Sequence, residues 1–92
     1  MPATLRIPAA LRGLVGGRAE LDVEAGTLRS VLDAVGRDAP ELRDRLLDEA
    51  GALRRHVNVF VNGEDVRFRD LLETRVQEGD RVAIVPAVAG GR

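Results

Sequence analysis

VNVFVNGEDVRF, residues Val57 to Phe68, carries the strongest local signal in the chain. Its valines at 57, 59 and 61 share one side of an extended strand, while Asn58, Phe60 and Asn62 share the other, because successive strand side chains point to opposite faces. Three valines on one side predict the core face. Asn62-Gly63 follows directly, and Asn-Gly between alternating runs is the strongest short-range hairpin signal, since both residues tolerate positive φ. Val66-Arg67-Phe68 is therefore expected to be a short return strand.

Upstream of the hairpin the pattern is helical. Gly26-Thr27 opens a helix with Thr27 as N-cap, and Leu28, Val31, Leu32 and Val35 fall at i, i+3, i+4 and i+7. Gly36 is expected to stop it. A second helical stretch is expected from Asp38, with Pro40 in the first turn and Glu41 completing an Asp-x-x-Glu cap. Leu42, Leu46 and Leu47 form its apolar side, and Gly51 is expected to end it. Nearer the N-terminus, Thr4 to Ile7 and Ala19 to Val23 alternate as strands. Leu11 to Arg18, with three glycines, reads as a loop between them.

Downstream, Leu71-Leu72 caps the core in a turn or single helical turn, Gly79-Asp80 makes a tight turn, and Arg81 to Val85 alternates as a last strand. Val82 and Ile84 are expected to face in, Ala83 and Val85 out. With Phe60 they predict an exposed apolar patch, and leaving a Phe in water forgoes roughly 1.5–3 kcal/mol of burial. The order strand, strand, helix, strand, strand, strand predicts a two-layer α+β architecture, one main helix across one face of a mixed five-stranded sheet. A single domain over 1–85 is expected, with 86–92 a flexible tail.

Composition narrows the function. Ninety-two residues with 45% hydrophobic and 2% aromatic content suit one modest core built from Val, Leu, Ala and Ile. Without cysteine, disulfides, thiolate metal sites and cysteine nucleophiles are excluded. Fourteen basic residues against fifteen acidic ones give a net charge of -1, which is no footprint for nucleic acid. No apolar run approaches the ~18 residues of a membrane span, so a cytoplasmic protein with no membrane partner is expected. Every basic residue is arginine, as an arginine-biased genome would give; a chain with an activated C-terminus also has reason to avoid lysine amines.

The remaining chemistry is sparse. Gly13 to Arg18 lacks the Lys-Ser/Thr and following helix of a phosphate-binding loop. His56, the only histidine, has no partner in sequence for metal binding or a catalytic triad. Glu64 and Asp65 are neighbours, so they point to opposite faces and make a poor acid–base pair. No self-sufficient enzyme is visible, and no metal site is expected.

The C-terminal stretch QEGDRVAIVPAVAGG, Gln77 to Gly91, with Gly-Asp-x-Val leading through a proline to Gly-Gly, resembles the signature of ThiS/MoaD-type sulfur carriers. Val57 to Phe68 is most similar to the CysO-like branch used in cysteine synthesis. The resemblance implies a β-grasp, or ubiquitin-like, fold. Aligned on ubiquitin's last strand, it places Val85 on the docking face and Val82 and Ile84 in the core. Phe60, Ala83, Val85, Pro86 and Val88 become the implied partner-binding residues, and Gly90 and Gly91 the reactive end. Pro86 to Gly91, extended, reaches about 20 Å at ~3.3 Å per residue, enough to thread into a buried site. Glycines there let the backbone approach closely, and the proline stiffens the exit.

The resemblance also implies the partners. An adenylating enzyme of the ubiquitin-activating type spends ATP on the carboxylate of Gly91, and sulfur displaces AMP to leave a thiocarboxylate. A sulfur-accepting synthase then uses it; in the cysteine branch the acceptor is an activated serine derivative, and a metalloprotease frees the product. The carrier itself binds no cofactor. Active carriers end at the second glycine, whereas here Arg92 follows: either a protease removes it, or this copy is inactive, or the arginine is tolerated, and removal by a zinc metalloprotease of the same class is the expected case. Competing readings are a ubiquitin-like protein modifier, the small subunit of a molybdopterin synthase, and a non-covalent docking domain with an idle tail.

Overall fold

The computed structural model describes residues 1–86, so Val88, Gly90, Gly91 and Arg92 lie outside the described residues. Seven strands and two α-helices form in the order β1 (Ala3–Arg6), β2 (Glu20–Val23), β3 (Gly26–Thr27), α1 (Leu28–Asp38), α2 (Pro40–Leu46), β4 (Val57–Val61), β5 (Glu64–Asp65), β6 (Arg75–Val76) and β7 (Arg81–Pro86). Five of the strands make one mixed sheet in the order β2-β1-β7-β4-β5. The first and last strands lie side by side and parallel at its centre, and the other pairings are antiparallel. This is the expected α+β arrangement.

The core lies between the inner face of the sheet and the helices. Leu5, Val59, Val82 and Ile84 from the sheet meet Leu28, Val31, Leu32 and Val35 of α1 and Leu42 and Leu46 of α2. The valines of β4 are all buried, as alternation predicts. Asn62 and Gly63 both have positive φ, 52° and 84°, and close a two-residue hairpin between Val61 and Glu64. Thr27 caps α1 as expected, its Oγ1 accepting from Ser30 N at 3.1 Å.

Five local expectations are corrected. Gly36 does not end α1; the helix continues to Asp38. It stops because Pro40 disfavours helical geometry at the preceding residue, and Ala39 takes φ -137°, ψ 72°. Asp38, still inside α1, cannot cap α2, whose N-cap is Ala39 without a side-chain bond. That helix ends at Leu46, before Gly51; the glycine instead serves a turn, at φ 83°, whose Asp48 Oδ1 accepts from Ala50 N and Ala52 N. The stretch read as a loop contains a 3-10 helix, Ala9–Val15, that buries Leu11 and ends on Gly16 at φ 68°. Finally, the return strand is Glu64–Asp65, and Val66–Phe68 is a 3-10 turn. Asp65 Oδ1 accepts from Arg67 N at 2.9 Å, which offers the backbone a turn in place of a ladder.

A second, two-stranded ladder pairs β3 with β6, Gly26 opposite Val76 and Thr27 opposite Arg75. Two-residue strands carry no periodicity, so this ladder is silent in the sequence. It pins the start of α1 to the segment entering β7. Leu28 N also donates to Thr74 O at 2.9 Å.

Candidate functional site: the outer sheet face and the end of the last strand

β7 is the element that leads into the Gly-Gly segment, and it is held on both sides. Thr4, Leu5 and Arg6 of β1 lie opposite Arg81, Val82 and Ala83. On the other side Val57 lies opposite Pro86, Asn58 opposite Val85, Val59 opposite Ile84, Phe60 opposite Ala83 and Val61 opposite Val82. The ladder therefore extends one residue past Val85, to Pro86.

Directly opposed residues share a face, so the outer face carries Phe60 against Ala83 and Asn58 against Val85. The sequence expects these apolar residues in the open. Val85 is 44% exposed, but Phe60 and Ala83 are half-buried. The reason is position: β4 lies between β7 and β5, with Ala83 on one side of Phe60 and Asp65 on the other. The patch is thus narrower than expected. Pro86 points with Val57 toward the inner face and is half-buried.

The two turns at the opposite end of the sheet are joined. Asn62 N donates to Arg81 O at 2.7 Å, and Arg81 N donates to Asn62 Oδ1 at 2.9 Å. Asn62 Nδ2 donates to Asp80 Oδ1 at 3.0 Å, and Gln77 N donates to Asp80 Oδ2 at 2.8 Å. The Asn-Gly and Gly-Asp motifs are therefore two halves of one clamp. The Asn62 side chain, and then the Gln77 backbone, hold the Asp80 carboxyl below its ordinary value by bonding the charged form.

Sequence reading missed two exposed features. Arg67 leaves the 3-10 turn and lies across the start of β4, donating to Asn58 Oδ1 at 2.6 Å and to the carbonyls of Arg54 and Arg55, each at 3.2 Å. Next to it Phe68 is 84% exposed. Neither could be found without knowing that the return strand stops at Asp65. His56 is exposed. Glu64 pairs with Arg69 while Asp65 caps its turn, so neither carboxylate is set up for proton transfer. Among the described residues no group of His, Cys, Asp and Glu could hold a metal ion, and no helix is long and apolar enough to cross a membrane.

A long helix across a mixed five-stranded sheet, with parallel first and last strands at its centre, defines the ubiquitin-like β-grasp class. The ThiS family matches residues 5–91, and the chain belongs to that family. It is 41% identical over 93 residues to the sulfur carrier protein CysO of Mycobacterium tuberculosis, covering 99% of this chain and 100% of that one. It is 35% identical over 94 residues, 99% and 100% of the two chains, to small archaeal modifier protein 3 of Haloferax volcanii. Its backbone superposes with a TM-score of 0.90 on a chain from the BexX/CysO complex of Amycolatopsis orientalis, at 40% identity over 97% of this chain and 99% of that one.

Proposed function

We propose that this protein is a sulfur carrier whose C-terminal Gly90-Gly91 is its reactive group. The observation that carries the reading is the end-to-end likeness to a sulfur carrier, with the family match running through to Gly91. The placement of β7 supports it. A central strand, paired on both sides, gives the Gly-Gly segment a fixed point of departure beside Val85.

Activation needs a free carboxylate on Gly91, so Arg92 is removed first, by a zinc metalloprotease. That carboxylate attacks the α-phosphate of ATP on an adenylating enzyme of the ubiquitin-activating type, and pyrophosphate leaves. A sulfur nucleophile then adds to the acyl carbon and AMP leaves, giving a thiocarboxylate. Its sulfur passes to an acceptor on a synthase, toward cysteine or another sulfur metabolite. Phe60, Ala83, Val85, Pro86 and Val88 form the docking face. The chain supplies an address and a reactive end, and catalysis belongs to its partners.

Intact mass of the protein produced in its native host tests this. Loss of Arg92, with one oxygen replaced by sulfur in part of the population, is expected. A persistent full-length mass with the adenylating enzyme, ATP and sulfide supplied would reject it. A second reading, protein modification, is favoured by the likeness to a small archaeal modifier protein. It predicts larger covalent adducts in lysates that disappear when Gly91 is removed.

A further inference from the structure

The chain has two asparagines, Asn58 and Asn62, and only Asn62 precedes a glycine. The amide carbon of an asparagine side chain can close a five-membered ring with the backbone nitrogen of the next residue. Glycine leaves that nitrogen uncovered, because no Cβ stands beside it. At this turn the nucleophile is open. Gly63 is exposed, nothing lies within 4 Å of where its Cβ would be, and among the described residues its N–H makes no hydrogen bond. Asn58 is the opposite case, half-buried within β4 and followed by the buried, β-branched Val59.

What ring closure lacks is a free electrophile. The Asn62 amide would have to turn toward Gly63 N, and it is held across to β7 instead. Its Oδ1 accepts from Arg81 N at 2.9 Å, and its Nδ2 donates to Asp80 Oδ1 at 3.0 Å. Asp80 is itself fixed, its Oδ2 accepting from Gln77 N at 2.8 Å and its N donating to Gln77 O at 3.0 Å. A bond from an amide to a carboxylate is charge-assisted and stronger than one between neutral groups. The turn thus combines an open nucleophile with an amide kept out of its reach.

We propose that Asn62 is a site of spontaneous deamidation guarded by Asp80, and that its conversion when the clamp opens is one-way. The inference stands apart from the carrier reading. In the open state Gly63 N attacks Asn62 Cγ. The new C–N bond forms, the Cγ–Nδ2 bond breaks, and Nδ2 leaves as ammonia with the proton that Gly63 loses. Water then opens the cyclic imide at one carbonyl or the other, giving aspartate or isoaspartate, with no oxidant or cofactor. Either product undoes the clamp. An aspartate at 62 has no N–H for Asp80 and sets a second carboxylate where the bond stood, and like charges so placed repel. Isoaspartate also lengthens the main chain of the two-residue turn by one atom.

The experiment incubates the full chain at physiological temperature in mildly alkaline buffer and follows the amide-to-acid mass gain after tryptic digestion, against an unincubated sample. Cleavage after Arg55 and Arg67 releases residues 56–67, which hold both asparagines, so Asn58 is an internal reference. The same peptide, synthesised, gives the unguarded rate. Conversion is expected at Asn62 and not at Asn58, about tenfold or more slower in the folded chain than in the peptide, and Asp80→Ala is expected to recover most of that factor. Ile84→Ala, which weakens the core and leaves the clamp's bonds in place, is expected to keep the slow rate; both variants are assayed where thermal melts show them folded. Asn62→Asp, one product made directly, is expected to lower the thermal midpoint, and adding Asp80→Asn, which returns an N–H to the pair, to restore it. A folded chain converting as fast as the peptide would overturn the guard. Equal acceleration by Asp80→Ala and Ile84→Ala would do the same, since protection would then lie in the fold at large. No conversion at Asn62 in Asp80→Ala would overturn the site itself, and an Asn62→Asp chain as stable as the parent would overturn the one-way opening.

Discussion

Asn62 shows how much one residue can be asked to do. It sits at φ 52°, where most side chains are strained by 1–2 kcal/mol, and its amide holds both Arg81 N and the Asp80 carboxylate. Asn62→Ala should therefore lose about 2–3 kcal/mol, the αL penalty plus about 1 kcal/mol for the bonds, read as a lower urea midpoint with unchanged slope. Asp80 adds a pH signature. Its pKa is lowered in the fold, so the stability it contributes is complete above the unfolded carboxylate value, about 3.9, and is lost as pH falls through the lower folded value. Asp80→Asn should be less stable than the parent at neutral pH, with the gap closing as pH falls below the unfolded carboxylate value; parallel thermal melts across that range measure it. The Asn-Gly pair was legible as a turn from its neighbours alone. That its side chain reaches across to Gly-Asp, eighteen residues on, was not, because only the pairing of β4 with β7 brings them together.

At the scale of elements, helix periodicity was read correctly and helix ends less so. The face of α1 follows from spacing, but its end was assigned to Gly36 when the proline rule at Ala39 governs. Gly36 has another duty. A Cβ built there would lie 2.9 Å from Arg43 Cβ and 2.5 Å from Arg43 Cδ on α2, whose guanidinium reaches Asp33 at 3.2 Å. The glycine is the gap into which α2 fits. Gly36→Ala in a helix normally stabilises by about 0.5–1 kcal/mol; here it should destabilise by about 1–3 kcal/mol, because α2 must shift. A chemical denaturation curve gives the sign at once. Thr27→Ala should cost about 1 kcal/mol by removing the cap on Ser30 N, measured the same way. The β3–β6 ladder and the 3-10 helix at Ala9–Val15 stayed illegible for a common reason: neither is long enough to repeat a pattern.

For the whole molecule, the proposed function divides β7 between buried residues that hold the fold and exposed ones that would meet a partner. Ile84 is 3% exposed and opposite buried Val59, while its neighbour Val85 is 44% exposed on the outer face. Ile84→Ala should cost about 2–5 kcal/mol and lower activation only through unfolding. Val85→Asp should change stability by no more than about 1 kcal/mol yet raise the carrier concentration needed for half-maximal adenylation; melts and turnover on the same two variants check both statements.

The sequence by itself determined the inward and outward faces of β4 and β7, the hairpin turn, the α1 stripe and the α+β class. Each rests on a short-range period or a backbone preference that neighbouring residues express alone. Only the tertiary structure decided that β1 and β7 lie parallel at the centre, that Phe60 is half covered, that Gly36 admits α2, and that Arg67 bonds Asn58, the strand partner of Val85. These depend on contacts between residues far apart in the chain, whose closeness is set by packing one sheet against two helices and leaves no local trace in the order of amino acids.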